Sequence, residues 1–242
     1  MTLKYVKCKP KNKDVSFIEC ATCKGCKAHG AEFDEFPLLM RKKCLTPHFR
    51  HSENKVVSVT RITGCLRKQF FNITKDWSML PKGFIAMSVG TALHEYLMPL
   101  WAINEQRLVW TTPKGNKLIG YFDCININNR TLYDLKTTGW GKYKQDGVSK
   151  MDVEQILIYA NILKHKYDFD LEAIKISYLG GGDKECEEYN VPYKDMIKEI
   201  NKKVDDMYKA IETNVVPKGN PVESWECEYC EWSEDCKFKI KK

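Results

Sequence analysis

The sequence has no low-complexity tract, no self-similarity at solenoid periods and no extreme of composition. Disordered, collagenous and repeat architectures are thereby excluded. It also lacks an uninterrupted apolar run suited to a bilayer. The longest apolar stretch, Gly83 to Asn104, carries His94 and Glu95 at its centre and Pro99 behind them. An acid at mid-bilayer costs about 2.5–3.5 kcal/mol, so the expectation is a buried core helix bearing a functional polar pair, with no membrane partner. The opening residues, MTLKYVKCKPKNK, show no apolar core and no small-residue cleavage site. A cytoplasmic chain without a leader is expected.

What is abundant is cysteine, 11 residues in 242. The count is odd, and a chain of this length has no need of disulfide staples, so the C-x-x-C groups read as metal thiolates in a reducing compartment. The formal charge of +7 permits a nucleic-acid partner without requiring one. Eight thiolates in two four-cysteine sites would lower it to about +3, leaving nucleic-acid binding to local patches.

Length implies one large domain with a small appendage. Residues 1–30 carry four Cys and little hydrophobic periodicity, and need a metal to fold. Residues 31–57 read as a connector, and residues 58–242 as the main domain. Ile62, Leu66, Phe70 and Ile73 recur at helical steps after Ser58, a candidate N-cap. A second helix is expected over 88–100. Strands follow at 107–112, 117–126 and 131–136, then a helix over 152–166, strands at 171–179 and 186–191, and a long helix over 193–213. The tail from Pro217 reads as loop.

Two consecutive strands carry the chemistry, Gly120-Tyr-Phe-Asp123 and Leu132-Tyr-Asp134-Leu-Lys136. Residues two apart on a strand share a face, so Asp134 and Lys136 project together with the Leu135 carbonyl between them. A hairpin through 126–130 would bring Asp123 to Asp134. Adjacent acids repel unless a cation neutralises them, and hard oxygen ligands suit Mg²⁺ or Mn²⁺. A neighbouring lysine can orient or deprotonate water, or stabilise charge on a phosphate. Alone, D-x-K is usually a solvated ion pair. Here it stands between Gly90-x-x-x-His94-Glu95 and Gln155-x-x-x-Tyr159, both in apolar helices.

That order of motifs resembles the RecB-type nucleases of the PD-(D/E)XK superfamily, an α/β fold with a mixed sheet flanked by helices. The resemblance implies His94, Asp123, Asp134 and the Leu135 carbonyl as metal ligands and Lys136 as the catalytic lysine. It implies Gln155 and Tyr159 as helix residues near DNA and the active site. The second acid is Asp, where many relatives carry the longer Glu.

The tail reads Cys227-x2-Cys230-x5-Cys236, and Cys65 is the natural fourth ligand. Spacing alone does not decide between zinc and a 4Fe-4S cluster. With the nuclease motifs, the pattern over about residues 56–242 resembles the CRISPR-associated iron–sulfur exonucleases of spacer acquisition, the fourth numbered Cas protein family. This implies a cluster on Cys65, Cys227, Cys230 and Cys236, single-stranded DNA attacked from a 5′ end, and the CRISPR integrase-complex proteins as partners. Closing the loop from Cys65 to Cys227 through one metal site would contribute about 4–5 kcal/mol in the cross-link model.

Cys8, Cys20, Cys23 and Cys26 read as a zinc knuckle. They also echo a ferredoxin run whose fourth position is Gly30, so a second iron–sulfur site, or His29 or Cys44 as a substitute ligand, stays open. Arg67, Lys68, Phe70, Phe71 and Trp77 are candidates for a strand-binding surface. Cys124 and Cys186 are expected as buried thiols. The rival functions are a metal-stapled nucleic-acid-binding module without nuclease activity, a stand-alone or viral repair nuclease, and a redox sensor.

Overall fold

The β-branched and aromatic strand segments and the apolar helix stripes resolve, in the computed structural model, into mixed sheets carrying helices. The described residues are 5–8, 13–16, 57–75, 78–79, 81–137, 147–179, 186–228, 230–234 and 236. Numbered in chain order, the strands are β1 (Tyr5–Cys8), β2 (Lys13–Ser16), β3 (Val57–Ser58), β4 (Ser78–Met79), β5 (Ile103–Asn104), β6 (Arg107–Thr111), β7 (Lys117–Tyr121), β8 (Cys124–Asn126), β9 (Thr131–Thr137), β10 (Ala173–Leu179) and β11 (Cys186–Asn190). The helices are α1 (Val59–Ile62), α2 (Leu66–Thr74), α3 (Pro81–Leu97), α4 (Lys150–Tyr167) and α5 (Ile197–Thr213), with 3₁₀ turns at Met98–Leu100 and Ser224–Cys227.

The chain divides into two compact units, residues 1–54 with 71–92, and residues 55–70 with 93–242. In the first, β1 pairs antiparallel with β2 and parallel with β4. Cys8 ends β1 opposite Lys13. Cys20, Cys23 and Cys26, and all of the expected connector but Val57, lie outside the described residues.

The second unit holds a five-stranded sheet in the order β11-β10-β9-β8-β5 and a three-stranded sheet in the order β3-β7-β6. β9 and β10 run parallel, joined through α4. Helix α4 is capped by the Ser149 side chain, which accepts from Met151 N–H. Ile156, Ile158 and Ile162 of this helix, with Leu132 and Ile176 of the sheet, are fully buried, each such side chain contributing about 1.5–3 kcal/mol.

Three elements differ from the sequence expectation. The strand expected at 117–126 splits at Phe122-Asp123 into β7 and β8, which join different sheets. The helix expected after Ser58 breaks at Gly64, whose φ is +72°, a conformation glycine adopts without a Cβ penalty. The helix expected to be buried around His94 is largely solvent-facing in its described part: Tyr96 is 77% exposed, and Val89 and Leu100 are exposed too. Cys124 is buried as expected, but Cys186 is exposed on β11, the last strand of the five-stranded sheet. Phe70 and Phe71 are buried and so offer no stacking face to a nucleic acid.

Gly120 on β7 is a point of close approach. A Cβ there would stand 2.6 Å from Tyr159 Cε1 and 2.6 Å from Val59 Cγ2. Gly120→Ala is expected to destabilise the protein by about 1–3 kcal/mol through overpacking, read as a lower midpoint in urea. Gly115→Ala, whose Cβ meets nothing within 4 Å, serves as the control for left-handed backbone cost alone.

Candidate active site

The site forms where β8 stops short. β8 pairs with β9 only as far as Cys124 opposite Tyr133, so among the described residues no strand pairs with the next stretch of β9 on that side. Both peptide groups of Leu135 that face this gap are taken by side chains. Leu135 N–H donates to Asp123 Oδ2 at 2.6 Å, and the Leu135 carbonyl lies 2.9 Å from His94 Nε2. His94 Nδ1 in turn lies 3.5 Å from Asp123 Oδ1. The helix register holds His94 there: Leu97 and Met98, three and four residues on, share its face and pack on Cys124, Tyr133 and Leu135.

Asp134 and Lys136 point to the other neighbour, α4, as the two-residue period requires. Asp134 is 1% exposed. Its Oδ2 lies 2.7 Å from Lys136 Nζ yet receives no properly directed hydrogen bond. Gln155 bridges the pair, donating from Nε2 to Asp134 Oδ1 at 3.4 Å and accepting from Lys136 Nζ at 3.4 Å on Oε1. Tyr159 is buried one turn further on, its ring lying over Gly120. The six side chains expected at the site therefore meet, with Tyr159 behind Gln155 rather than at the surface.

Burial pushes the Asp123 carboxyl up from the ordinary carboxylate range, opposed by Lys136, His94 and the Leu135 N–H. Burial likewise raises Asp134, with Lys136 opposing and Asp123 adding. Burial works against the Lys136 ammonium, but Asp134, Asp152 and Asp123 outweigh it and raise its pKa. Burial pushes the Cys124 thiol up to about 12, with Asp123 and Asp134 adding to the effect. Two acids of this neighbourhood escaped the sequence reading. Asp152 acts on both Lys136 and Asp134, and its place three residues before Gln155 on one helix face was the available signal. Glu105 acts on Asp123 and donates its backbone N–H to the Asp123 carbonyl at 2.8 Å. No sequence signal marks it.

Among the described residues no three His, Cys, Asp or Glu side chains are gathered tightly enough to hold a metal ion as the chain stands. The donor chemistry of the β9 site nevertheless fits a hard divalent cation. Ligands at right angles on an octahedral ion with bonds of about 2.1 Å stand about 3 Å apart, close to the separation of His94 Nε2 and the Leu135 carbonyl. Buried Asp134, paired through Oδ2 with Lys136, supplies the anionic oxygen donors such an ion requires.

The cysteine segments are brought together by backbone capture. Gly64, Cys65 and Leu66 N–H groups open α2 and donate to Glu154 Oε2, Glu226 Oε2 and Asn220 Oδ1 at 3.3, 2.9 and 3.0 Å. Glu226 is buried, and its other oxygen accepts from Val222 and Glu223 N–H. Cys65 is thus fastened to the residue preceding Cys227. Lys68 pairs with Glu231 at 3.2 Å, beside Cys230. Cys65, Cys227, Cys230 and Cys236 are free and half-buried. Glu223 also accepts from Lys150 N–H at the start of α4.

The model of the PD-(D/E)XK nuclease superfamily matches residues 69–237. The chain belongs to that superfamily. The crystal structure of SSO0001 aligns at a TM-score of 0.59 and 18% identity, over 83% of this chain and 95% of that one, a likeness of fold. A candidate exonuclease from Eubacterium rectale aligns at a TM-score of 0.34 and 15% identity, over 68% of this chain and 64% of that one. No curated protein sequence matches. No helix among the described residues is long and apolar enough to cross a membrane.

Two expectations follow. A carboxyl whose pKa is raised by folding contributes stability below its unfolded value near pH 4, and that contribution is lost as pH rises through the folded value. At pH 7, with divalent cations chelated, Asp123→Asn should therefore melt above wild type, and the difference should shrink toward pH 4. Glu226→Ala should cost about 2–4 kcal/mol by leaving buried N–H groups unsatisfied, read by denaturant unfolding against exposed Glu234→Ala.

Proposed function

We propose that this nuclease-superfamily chain is a Mg²⁺- or Mn²⁺-dependent deoxyribonuclease that degrades single-stranded DNA from a 5′ end. The observation that carries the reading is the stretch Asp134-Leu135-Lys136 of β9, where His94 and Asp123 take the Leu135 carbonyl and N–H and buried Asp134 pairs with Lys136. His94, Asp123, Asp134 and the Leu135 carbonyl would hold the cation. When bound, it supplies Lewis-acid polarisation of the scissile phosphate and lowers the pKa of a coordinated water.

The chain's own residues do the rest. Lys136 orients the attacking water and stabilises charge building on the phosphate. Gln155 fixes the lysine and Asp134 relative to each other. Asp123 accepts the Leu135 N–H on the side to which the Leu135 carbonyl also turns.

The half-buried set Cys65, Cys227, Cys230 and Cys236 would hold a 4Fe-4S cluster with a structural role. The support is the three-point capture of the Cys65 segment by Glu154, Asn220 and Glu226, together with the spacing Cys227-x2-Cys230-x5-Cys236. Spacer-precursor trimming and partnership with the CRISPR integrase-complex proteins belong to the same reading and rest on the sequence resemblance, whereas a zinc knuckle on Cys8, Cys20, Cys23 and Cys26 rests on their spacing alone.

Lys136→Ala and Asp123→Ala should each lower Mn²⁺-dependent cleavage of end-labelled single strands at least about a hundredfold while circular dichroism stays that of wild type. Robust cleavage by both would overturn the assignment. In anaerobically purified protein, Cys65→Ser should lose iron and visible absorption. Retained iron would remove Cys65 from the ligand set.

A further inference from the structure

Asp152 has no part in the motifs that marked this site, yet its surroundings tie it to Lys136. β10 runs beside β9 with Tyr178 in register with Lys136, so the two side chains stand next to each other on the face covered by α4. From that helix Gln155 reaches Lys136 Nζ. Asp152, three residues earlier on the same face, accepts the Tyr178 hydroxyl on Oδ2 at 2.8 Å. The Tyr178 oxygen also accepts from Ser149 N–H at 3.3 Å, which fixes ring and carboxylate to the first turn of α4. Tyr178 is 3% exposed. One of the two Asp152 oxygens is thus occupied, and the carboxylate is held at the Tyr178 hydroxyl, one helix turn before the Gln155 that reaches Lys136.

Lys136 has a conflict to resolve. Its ammonium lies 2.7 Å from Asp134 Oδ2, the oxygen a divalent cation would take. Cation and ammonium repel each other, so the lysine must swing off Asp134 when the cation arrives. Gln155 is neutral and cannot replace the lost counter-charge. Asp152 carries a carboxylate, and its bond to the Tyr178 hydroxyl sets it on the face where Tyr178 and Lys136 stand side by side.

We propose that Asp152, braced by Tyr178, is a positioning residue that receives the Lys136 ammonium when a divalent cation occupies Asp134. This rests on the reading of Asp134 as a cation ligand. Lys136 then has two docks, Asp134 on β9 and Asp152 on α4. The cation-free site pairs it with Asp134, and the loaded site with Asp152, still charged and still beside the gap.

The test is Mn²⁺ titration of the full-length chain without nucleic acid, by water-proton relaxation and calorimetry, with circular dichroism as the folding control. Asp152→Asn leaves Lys136 with no dock but Asp134, so Mn²⁺ should bind roughly fivefold to tenfold more weakly than in wild type, within the range of coupling between contacting residues. Asp152→Glu should recover most of the loss. In a Lys136→Met background, which has no ammonium to rehouse, Asp152→Asn should change Mn²⁺ affinity less than twofold. Tyr178→Phe, which leaves every charge in place, should weaken binding in the same direction by roughly twofold, and it carries the test should Asp152→Asn fail to fold. An equal loss in the Lys136→Met background would mean that Asp152 acts on the cation directly, and would overturn the proposal. So would unchanged affinity in Asp152→Asn or, where that variant does not fold, in Tyr178→Phe. Asp134→Ala separates the two claims. If wild-type Mn²⁺ binding survives it, the cation-site reading falls and the dock with it. If binding is lost but the Asp152 variants behave as wild type, the dock alone falls.

Discussion

Three carboxylates, those of Asp123, Asp134 and Asp152, face one ammonium, that of Lys136. Within a folded interior such an excess of negative charge is costly, because burial and mutual repulsion both disfavour the ionised forms. The fold sustains it by several means. Asp123 accepts the Leu135 N–H, Asp152 accepts the Tyr178 hydroxyl, and Gln155 donates to Asp134. Lys136 pairs with Asp134 Oδ2, so carboxylates still outnumber ammonium groups, an excess that a divalent cation would balance. The stability of the empty chain and the affinity of the filled one are therefore opposite faces of one electrostatic arrangement.

The geometry behind that arrangement is a strand that ends early. β8 leaves β9 after Cys124, and the unpaired edge of Leu135 becomes a place where a carboxylate and an imidazole take over the role of a neighbouring strand. The strand period explains why Asp134 and Lys136 were legible as a pair from sequence, and the short link through 127–130 explains why Asp123 could be placed beside them. The split between β7 and β8 was not legible. Lys117 to Asn126 alternates well enough to pass as one strand, and only the tertiary placement of Phe122, which is buried, turns the chain from one sheet to the other. Asp152 was missed because an acid in a first helical turn is ordinary. Its meaning appears only once β10 sets Tyr178 beside Lys136. The helix break at Gly64 hid behind a stripe that stays in phase across it. Tyr96 shows the reverse error: an apolar composition read as burial, on a helix whose described face is open.

The cysteine tail and α4 are joined by ordinary hydrogen bonds. Glu226 holds Cys65, and Glu223 holds the first N–H of α4. Glu154 sits on α4 itself, where it accepts from Gly64 N–H and pairs with Lys203 of α5. The tail thus braces the N-terminal end of the helix that presents Asp152 and Gln155. Under the proposed reading, a cluster on the four thiolates would tighten this brace while standing apart from the chemistry, which matches a structural role better than an electron-transfer one.

The most direct test of the central claim is an anomalous-difference map from crystals grown or soaked with Mn²⁺. The account predicts a peak in the gap beside β9, bonded to Asp123, Asp134, the Leu135 carbonyl and His94, with the Lys136 ammonium withdrawn from Asp134. A protein that cleaves DNA in Mn²⁺ but shows its peak elsewhere, or shows Lys136 still paired with Asp134 beneath a bound cation, would contradict it.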